Sequence, residues 1–329
     1  MLVSLPCNGM SILVTKSGFL STIQDLGRYG FQSLGVNPGG AMDRQAVRLL
    51  NELLGNKPDA PVIEMHFPAG EFLFETTCQF AIGGADFTVQ LSSKAVSNWT
   101  VLEAQPGDRL SFHHRKFGNR SYLAVGGGLA ADSWLGSAST NLQIGVGGFR
   151  GRKLEAGDRI ELEHKTTGLH IGGEKIGWSL VPKYSASPTL RVIQGPEFEE
   201  ITAISQQAFL AESYAISRSS DRMGFRLEGP ALYKLSETEM LSSGTAFGTI
   251  QLLNDGQLIV LMADHQTTGG YPRIATIAVI DLPLMAQLGP GDRLSFQIVS
   301  VTEADQLLFE WEKNMAFMKQ GLRFKRQGL

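Results

Sequence analysis

The sequence predicts a mostly-β fold with a few helices, built as two β-barrel halves. Glycine supports this class, because many short β-type runs are punctuated by the 38 glycines of a 329-residue chain. Glycine permits the tight turns and close backbone approaches that join short strands. The segment Pro106–Phe112 also recurs letter for letter at Pro290–Phe296, with a weaker copy at Ala156–Ile160. This repeat favours two similar barrel halves, and the alternative is that one common turn sequence is used more than once.

Two helices are predicted within these halves. The clearer one runs from Asp43 to Leu54, with apolar residues on one face, Asp43 at its positive end and Gly55 terminating it. The other is predicted to begin at Pro196, with acidic residues in its first turn. Its inward-facing stripe consists of Phe198, Ile201, Ile204 and Phe209.

A third helix is predicted at the C-terminal end, with Thr302 and Asp305 as a capping pair. It would pack on the body through Leu307, Leu308, Trp311 and Met315. A connector rich in Gly, Ser, Pro and Lys lies at 170–188. The predicted domains are a first barrel half at 1–186, a second at 187–301, and the amphipathic helix and tail at 302–329.

Composition excludes several classes of protein. A formal net charge of −3 gives no reason to expect nucleic acid or an anionic membrane as a partner. Two cysteines, Cys7 and Cys78, cannot form a disulfide framework and indicate a reducing compartment. The N-terminal stretch lacks the pattern of a secretion signal, and no apolar run is long enough to span a bilayer. We therefore expect a cytoplasmic protein.

Motifs for metals and nucleotides are missing from the sequence. His113 and His114 would point to opposite faces of a strand, and no zinc-type spacing occurs, so no metal site is predicted. Gly126–Gly128 matches neither the dinucleotide fingerprint nor the P-loop, and a plain turn is the simpler interpretation. We therefore expect this chain not to bind ATP by itself.

The densest polar feature is the segment Gln266–Pro272, which connects two predicted strands. Its side chains Gln266, Thr267, Thr268 and Tyr271 offer an amide, two hydroxyls and a phenol. Its glycines, Gly269 and Gly270, would allow a ligand close to backbone N–H groups. The segment could hold a planar amide or carboxylate and stabilise an oxyanion. An ordinary hairpin whose threonines satisfy its own backbone is an equal alternative.

Two other segments have a similar character. Arg222 and Arg226 could pair with a ligand carboxylate, whereas a structural ion pair between an arginine and Asp221 is the alternative. Gln251 ends a glycine- and threonine-rich stretch that begins at Gly244.

These segments also resemble a known family, that of the biotin-dependent carboxyltransferase A/B proteins, or allophanate hydrolase subunit 2. The resemblance extends over about residues 11 to 300 and includes a highly specific Gln-Thr-Thr-Gly-Gly-Tyr-Pro signature. The matching segments are Gly18–Gly30, Gly40–Asp43, Gly83–Asp86, Gly136–Thr140, Ser220–Pro230, Phe247–Gln251 and Gln266–Ala275. The sequence departs from the family pattern at Leu253, Leu258, His265 and Ser137–Ser139.

The resemblance implies cyclophilin-like β-barrels and membership of an ATP-dependent 5-oxoprolinase, which opens the lactam of 5-oxoproline to glutamate. It also implies two partner chains of that enzyme, with ATP used by the complex. One partner is a companion B chain that is similar to allophanate hydrolase subunit 1, and the other is an A chain. Gln266, Thr267, Thr268 and Tyr271 would then be catalytic. Arg222, Arg226, Gln251, Gly269 and Gly270 would bind the small amide substrate.

Two other functions fit the same resemblance. One is a carboxyltransferase component that acts on urea or a related amide with biotin on a separate carrier. The other is a regulatory protein that binds its companion tightly and turns over no amide.

Overall fold

The computed structural model describes residues 10–164, 173–177, 179–236 and 240–326, so Cys7 and part of the predicted connector lie outside the described residues. The strands of the first half are β1 (Ser11–Lys16), β2 (Ser21–Gln24), β3 (Val62–His66), β4 (Glu71–Phe74), β5 (Cys78–Asp86), β6 (Val89–Leu91), β7 (Lys94–Ala95), β8 (Leu102–Ala104), β9 (Arg109–Phe112), β10 (Phe117–Val125) and β11 (Arg159–Glu161). Those of the second half are β12 (Thr189–Gln194), β13 (Tyr214–Ile216), β14 (Gly224–Glu228), β15 (Ser243–Gly244), β16 (Thr249–Leu252), β17 (Leu258–Leu261), β18 (Thr268–Gly269), β19 (Arg273–Ile277) and β20 (Arg293–Ile298). The α-helices are α1 (Arg44–Leu54), α2 (Ala203–Ala211), α3 (Leu282–Ala286) and α4 (Val301–Arg326).

The first half places its strands in two sheets around one core. The six-stranded sheet has the order β11-β1-β4-β9-β6-β7, and the five-stranded sheet has the order β2-β3-β10-β5-β8. Apolar residues of both sheets, such as Phe72 on β4 and Leu123 on β10, are fully buried in the same cluster. Burial of these alternating side chains drives the two sheets together.

The second half is a closed barrel with the strand order β12-β19-β16-β17-β14-β13-β20. Parallel pairing of β12 with β20 closes it, and closure leaves no unpaired sheet edge. The predicted mostly-β class is confirmed, and the second half is a barrel as expected. The predicted domain boundaries stay predictions.

The repeated segment forms the same turn in both halves. Gly107 and Gly291 have φ of 94° and 88°, a conformation that glycine adopts without steric cost. The next residue, Asp108 or Asp292, accepts a hydrogen bond from the backbone N–H three positions before it, at 2.8 Å and 2.9 Å. The weaker copy at 156–160 repeats both features. The same type of glycine–aspartate turn therefore precedes β9, β11 and β20.

Helix α1 forms as predicted. The Asp43 carboxylate accepts a hydrogen bond from Ala46 N at 2.9 Å, and Gly55 ends the helix in the left-handed conformation. Its buried face packs on β5 and β10 of the first half. On the other side, Arg48 pairs with Glu312 of α4 at 2.6 Å and stacks on Trp311.

The helix predicted at Pro196 is wrong in its start, whereas Phe198, Ile201 and Phe209 of its predicted inner face are buried and only Ile204 is not. Only a short 3-10 turn covers Phe198–Glu200, and α2 begins after Thr202, whose hydroxyl caps Ser205 N. Glu197 does not sit in a helical turn because its carboxylate binds Arg273 at the barrel rim. Ile204, expected to face inward, is 81% exposed.

The C-terminal helix is confirmed, but its cap is not Thr302 with Asp305. Ser300 and Glu303 exchange hydrogen bonds two residues earlier, because Ser300 N donates to the Glu303 carboxylate and Glu303 N to Ser300 Oγ. Trp311 and Met315 are buried as expected. No helix among the described residues combines the length and apolar character needed to cross a membrane.

The two halves meet along a polar seam. The Gln287 side-chain oxygen accepts hydrogen bonds from Asn119 N and Arg120 N at 3.0 Å and 2.9 Å, and Arg120 Nη1 donates to Ala286 O at 2.5 Å. Met42, next to α1, is buried in the core of the barrel. These contacts fix how loops of the first half face the rim of the barrel.

Candidate functional site

The loop Gln266–Pro272 does not close a hairpin. The strands before and after it, β17 and β19, both pair with β16, which lies between them. The loop must therefore cross the end of β16, where the ladder is irregular between Ile250 and Gln251. This topology removes the hairpin alternative and places the loop over Gln251.

The loop is held on both sides. Its residues Thr268 and Gly269 form the two-residue strand β18, which pairs with β15. Thr245 Oγ donates to Gln266 O at 2.5 Å. At the end of the loop, the Arg273 guanidinium pairs with Glu197 at 2.7 Å. These contacts order a segment that would otherwise be a free polar loop.

A cavity of about 490 Å³ lies beneath this loop, within the size range of small-molecule sites. Seven of the nine predicted site residues line it. They are Arg226, Gln251, Gln266, Thr268, Gly269, Gly270 and Tyr271. The sequence segments that carry these residues are distant along the chain, and the barrel brings them together.

Gln251 is the buried polar group of the cavity, with 4% of its surface exposed. Its Nε2 donates to Tyr271 O at 3.4 Å, a long and therefore weak hydrogen bond. Gly269 lies directly against it, since a Cβ at this position would come within 2.6 Å of Gln251 Nε2. Only glycine permits this approach of the loop backbone to the amide.

Arg226 supplies a positive charge to the cavity. It lies in the middle of β14, its side chain is exposed, and among the described residues it forms no ion pair. Asp255 lies elsewhere on the wall. The tyrosine Tyr271 is 39% exposed, so its phenol is accessible at the edge. The site thus combines one available cation with amide and hydroxyl groups.

Arg222 does not line the cavity beneath the loop, and its contacts do not support the predicted substrate-binding role. The side chain is 8% exposed and pairs with Asp264 at 2.8 Å and, by a short contact, with Glu64. Its Nη2 also donates to Gly40 O at 2.6 Å. Burial acts to lower the pKa of Arg222, but Asp264 and Glu64 outweigh it and raise the pKa. The structural ion-pair alternative is therefore favoured, with Glu64 and Asp264 as partners instead of Asp221.

Thr267 faces a second cavity, of about 440 Å³, on the side of the loop toward the first half. Gln266 and Thr268 line both cavities. The walls contributed by the first half include Asn37, Trp134 and Asn141, which sequence reasoning did not find. Nothing in their local sequence marks them, because they reach the loop only through packing of the two halves.

His265 also lies beside the loop, and sequence reasoning did not include it among the site residues. It is 2% exposed, and its Nδ1 lies 2.6 Å from Gln266 O. Burial lowers the pKa of His265, so the neutral ring with a proton on Nδ1 donates to this carbonyl. Two features of the sequence could have indicated that His265 belongs to the site. It directly precedes the loop, and it departs from the family pattern.

The glycine turn at 126–128 does not fit a phosphate. Its amides are used within the chain, because Gly126 N donates to Gln79 O, Gly127 N to Asn56 Oδ1 and Gly128 N to Val125 O. A second glycine pair in the sequence, at 172–173, lies partly outside the described residues. Among the residues that the structure describes, no group of three or more His, Cys, Asp or Glu is placed to hold a metal ion.

Comparison with known proteins identifies one family. The model described as carboxyltransferase domain, subdomain A and B, matches residues 34–298. The chain is 38% identical over 293 residues to the C subunit of 5-oxoprolinase from Escherichia coli (strain K12), and the match covers 88% of this chain and 92% of that protein. The protein of the same name from Haemophilus influenzae is 36% identical over 298 residues, or 91% and 94% of the two chains.

Solved structures extend the likeness to larger proteins. The crystal structure of the K. lactis urea amidolyase superposes with a TM-score of 0.87 and 27% identity. The match covers 95% of this chain but 20% of the urea amidolyase chain. This chain therefore corresponds to one part of that larger protein.

Proposed function

Because the chain belongs to the family of carboxyltransferase domains, subdomains A and B, we propose that it is one subunit of an ATP-dependent 5-oxoprolinase. The observation that carries this proposal is the cavity beneath the loop, where Gln251, Tyr271 and Arg226 converge. Two relatives that match nearly along their whole length are named as the C subunit of 5-oxoprolinase.

The chemistry of 5-oxoproline fits this cavity. The substrate is a planar five-membered lactam that carries one carboxylate. Arg226 is the cation positioned to pair with that carboxylate, and a guanidinium binds a carboxylate with two parallel hydrogen bonds. Gln251 can bond the lactam through both its amide N–H and its carbonyl. The neutral lactam ring would lie against the apolar wall formed by Ile259 and Leu261.

The loop would act on the lactam carbonyl. When this carbonyl reacts, negative charge develops on its oxygen, and donors fixed beforehand around that oxygen lower the barrier. Thr268, the backbone of Gly269 and Gly270, and the Tyr271 phenol line the cavity at this edge. Gln266 also lines it, whereas Thr267 faces the second cavity. We therefore assign Thr267 to shaping the loop.

ATP is assigned to the complex and not to this chain, because the amides of the glycine turn at 126–128 are already bonded within the chain. A companion chain would then complete the site and supply the nucleotide. The second cavity, which opens beside the loop and is walled by both halves, offers a route by which a partner reaches Thr267.

A urea-directed carboxyltransferase is the second candidate, favoured by the TM-score of 0.87 to urea amidolyase. Urea is also a planar amide, but it carries no carboxylate for Arg226 to bind. Activity under this alternative would require biotin on a separate carrier.

The deciding experiment is co-expression with the chains encoded beside it, followed by ATPase assays with 5-oxoproline and with urea. Stimulation by 5-oxoproline alone supports the proposal. Stimulation by urea that depends on biotin and bicarbonate would select the carboxyltransferase, and tight binding to a companion without any turnover would select a regulatory role.

Replacing Arg226 with methionine tests the assignment of the carboxylate. We expect Arg226→Met to raise the KM for 5-oxoproline about tenfold, because a charge-assisted hydrogen bond contributes roughly 1.5–3 kcal/mol. The control substrate is 2-pyrrolidinone, the same lactam without a carboxylate. Its slower turnover should be unaffected by the substitution, and an equal loss for both lactams would contradict the assigned role.

A further inference from the structure

The C-terminal helix α4 has two apolar faces. The inner face packs on the body of the protein through buried side chains, which include Trp311, Met315 and Leu322. On the other side, Phe309, Phe317 and Phe324 are 69%, 61% and 48% exposed. At 3.6 residues per turn these three rings fall within about 80° of one another, opposite the buried residues. We call this side of α4 the outer face.

The outer face lies beyond the domain that the chain shares with its family. The family model matches residues 34–298, whereas α4 begins at Val301. Single exposed apolar side chains are ordinary on a protein surface, but large ones aligned along one face mark a contact with another molecule. The outer face is therefore a candidate docking surface of this chain.

The charges of α4 indicate what covers the outer face. Three charges beside the inner face have partners on the body, in the pairs Glu312–Arg48, Lys319–Glu52 and Lys325–Glu174. By contrast, Asp305 and Arg323 are exposed and form no ion pair among the described residues. They are 18 residues apart, which is five full turns or about 27 Å. The two opposite charges thus lie on the same side of the helix, near its two ends.

We propose that the outer face binds a second copy of this chain, with the two α4 helices antiparallel. A two-fold axis between the helices, near residue 314, brings Asp305 of each copy opposite Arg323 of the other. The contact is then self-complementary, as a two-fold interface must be. Parallel pairing would instead place Asp305 beside Asp305 and Arg323 beside Arg323. The phenylalanine rings are buried between the helices, with Phe309 beside the small Ala316 of the second copy.

Lys313 is the charged residue nearest the two-fold axis. Its amino group lies 6.0 Å from the centre of the Phe317 ring of its own helix. A lysine can cover apolar surface with its methylene groups while the amino group stays in water. Two copies of Lys313 can therefore flank the axis with their charges directed outward.

A lipid surface fits the outer face less well than a second copy does. Helices that lie on anionic membranes carry basic residues along their polar side. In α4 the first half is acidic, with Asp305 and Glu310 both exposed, and such charges are repelled by anionic lipids. Acidic and basic ends on one helix match an antiparallel copy of the same helix.

The expected dimer is weak. The exposed parts of the three rings amount to roughly 350 Å² per copy, since a phenylalanine side chain can bury about 200 Å². Together with the flanking polar groups, this gives an interface at the small end of specific contacts, for which we expect a Kd of about 10 µM.

Sedimentation velocity of the full chain, at concentrations up to about ten times that Kd, should show a shift from monomer to dimer. Phe309→Ser should raise the Kd at least tenfold, because it removes two rings from each dimer. Phe19→Ser is the matched control, since Phe19 is 67% exposed but lies in the first half. It should leave the Kd unchanged. Both variants are expected to fold, because the replaced rings are mostly in water.

Charge reversal tests the antiparallel arrangement. Asp305→Arg and Arg323→Asp should each raise the Kd about tenfold, because each creates two like-charge contacts per dimer. The double variant should restore the original Kd. The proposal is overturned if the full chain stays monomeric, including the case in which it binds phosphatidylserine vesicles as a monomer. It is also overturned if Phe309→Ser dimerises as well as Phe19→Ser, or if the double reversal fails to restore what each single reversal removed.

Discussion

Replacing Arg222 with methionine should lower the free energy of unfolding by about 3–5 kcal/mol, the cost of breaking a buried ion pair from one side. The substitution leaves Glu64, which is 1% exposed, and Asp264 without their cation. It also removes the donor to Gly40 O, a contact that joins the two halves. Urea denaturation of the purified chain, with the midpoint and slope both fitted, measures the change.

The matched control for stability is Arg226→Met, the same substitution four residues further along the chain on an exposed side chain. Its effect on unfolding should stay within about 0.5 kcal/mol. Adding Glu64→Gln to Arg222→Met should recover part of the loss, because one uncompensated buried charge disappears. A fully stable Arg222→Met variant would contradict the structural role and would reopen a ligand-binding role for Arg222.

Replacing Gly269 with alanine should lower kcat/KM of the reconstituted complex about a hundredfold, because small displacements of positioning groups have effects of this size. The added Cβ would lie 2.6 Å from Gln251 Nε2, so either the loop or the amide must move. Gly269 is not in the left-handed region. The substitution therefore acts through contact and not through backbone strain.

Gly244→Ala is the control for this prediction. Gly244 pairs with Thr268 in the same two-stranded ladder, but a Cβ there would meet nothing within 4 Å. Steady-state assays of both variants, with stability measured in parallel, separate the two effects. Equal activity of Gly269→Ala and the original chain would show that Gln251 and the loop need not keep their mutual placement.

Local sequence signals were sufficient to predict an element where the contacts that stabilise it lie within a few residues of one another. Asp43 and Gly55 mark the ends of α1 because capping is decided within a few residues. The helix predicted at Pro196 failed for the opposite reason. Its acidic residues suggested a first helical turn, but Glu197 is needed by Arg273, which is distant in sequence and close at the barrel rim.

The candidate site was likewise predictable in part from local sequence and in part only from the tertiary structure. The loop Gln266–Pro272 was found from its residue types, and Gln251 and Arg226 from their segments. Arg222 and Arg226 were indistinguishable in sequence, since both are arginines of one short segment. Their places relative to β14 separate them, because Arg226 is exposed on the strand whereas Arg222 lies in the segment before it, buried at the seam with Glu64.

By itself, the sequence determined the mostly-β class, the repeated Pro-Gly-Asp turn, helix α1 and the polar loop, because each depends on neighbours in the chain. Only the tertiary structure decided that β16 lies between the strands flanking that loop, so that the loop covers a cavity and is not a hairpin. It also decided which arginine faces the cavity and which joins the halves. Such choices depend on contacts between residues far apart in sequence, and local residue patterns do not record them.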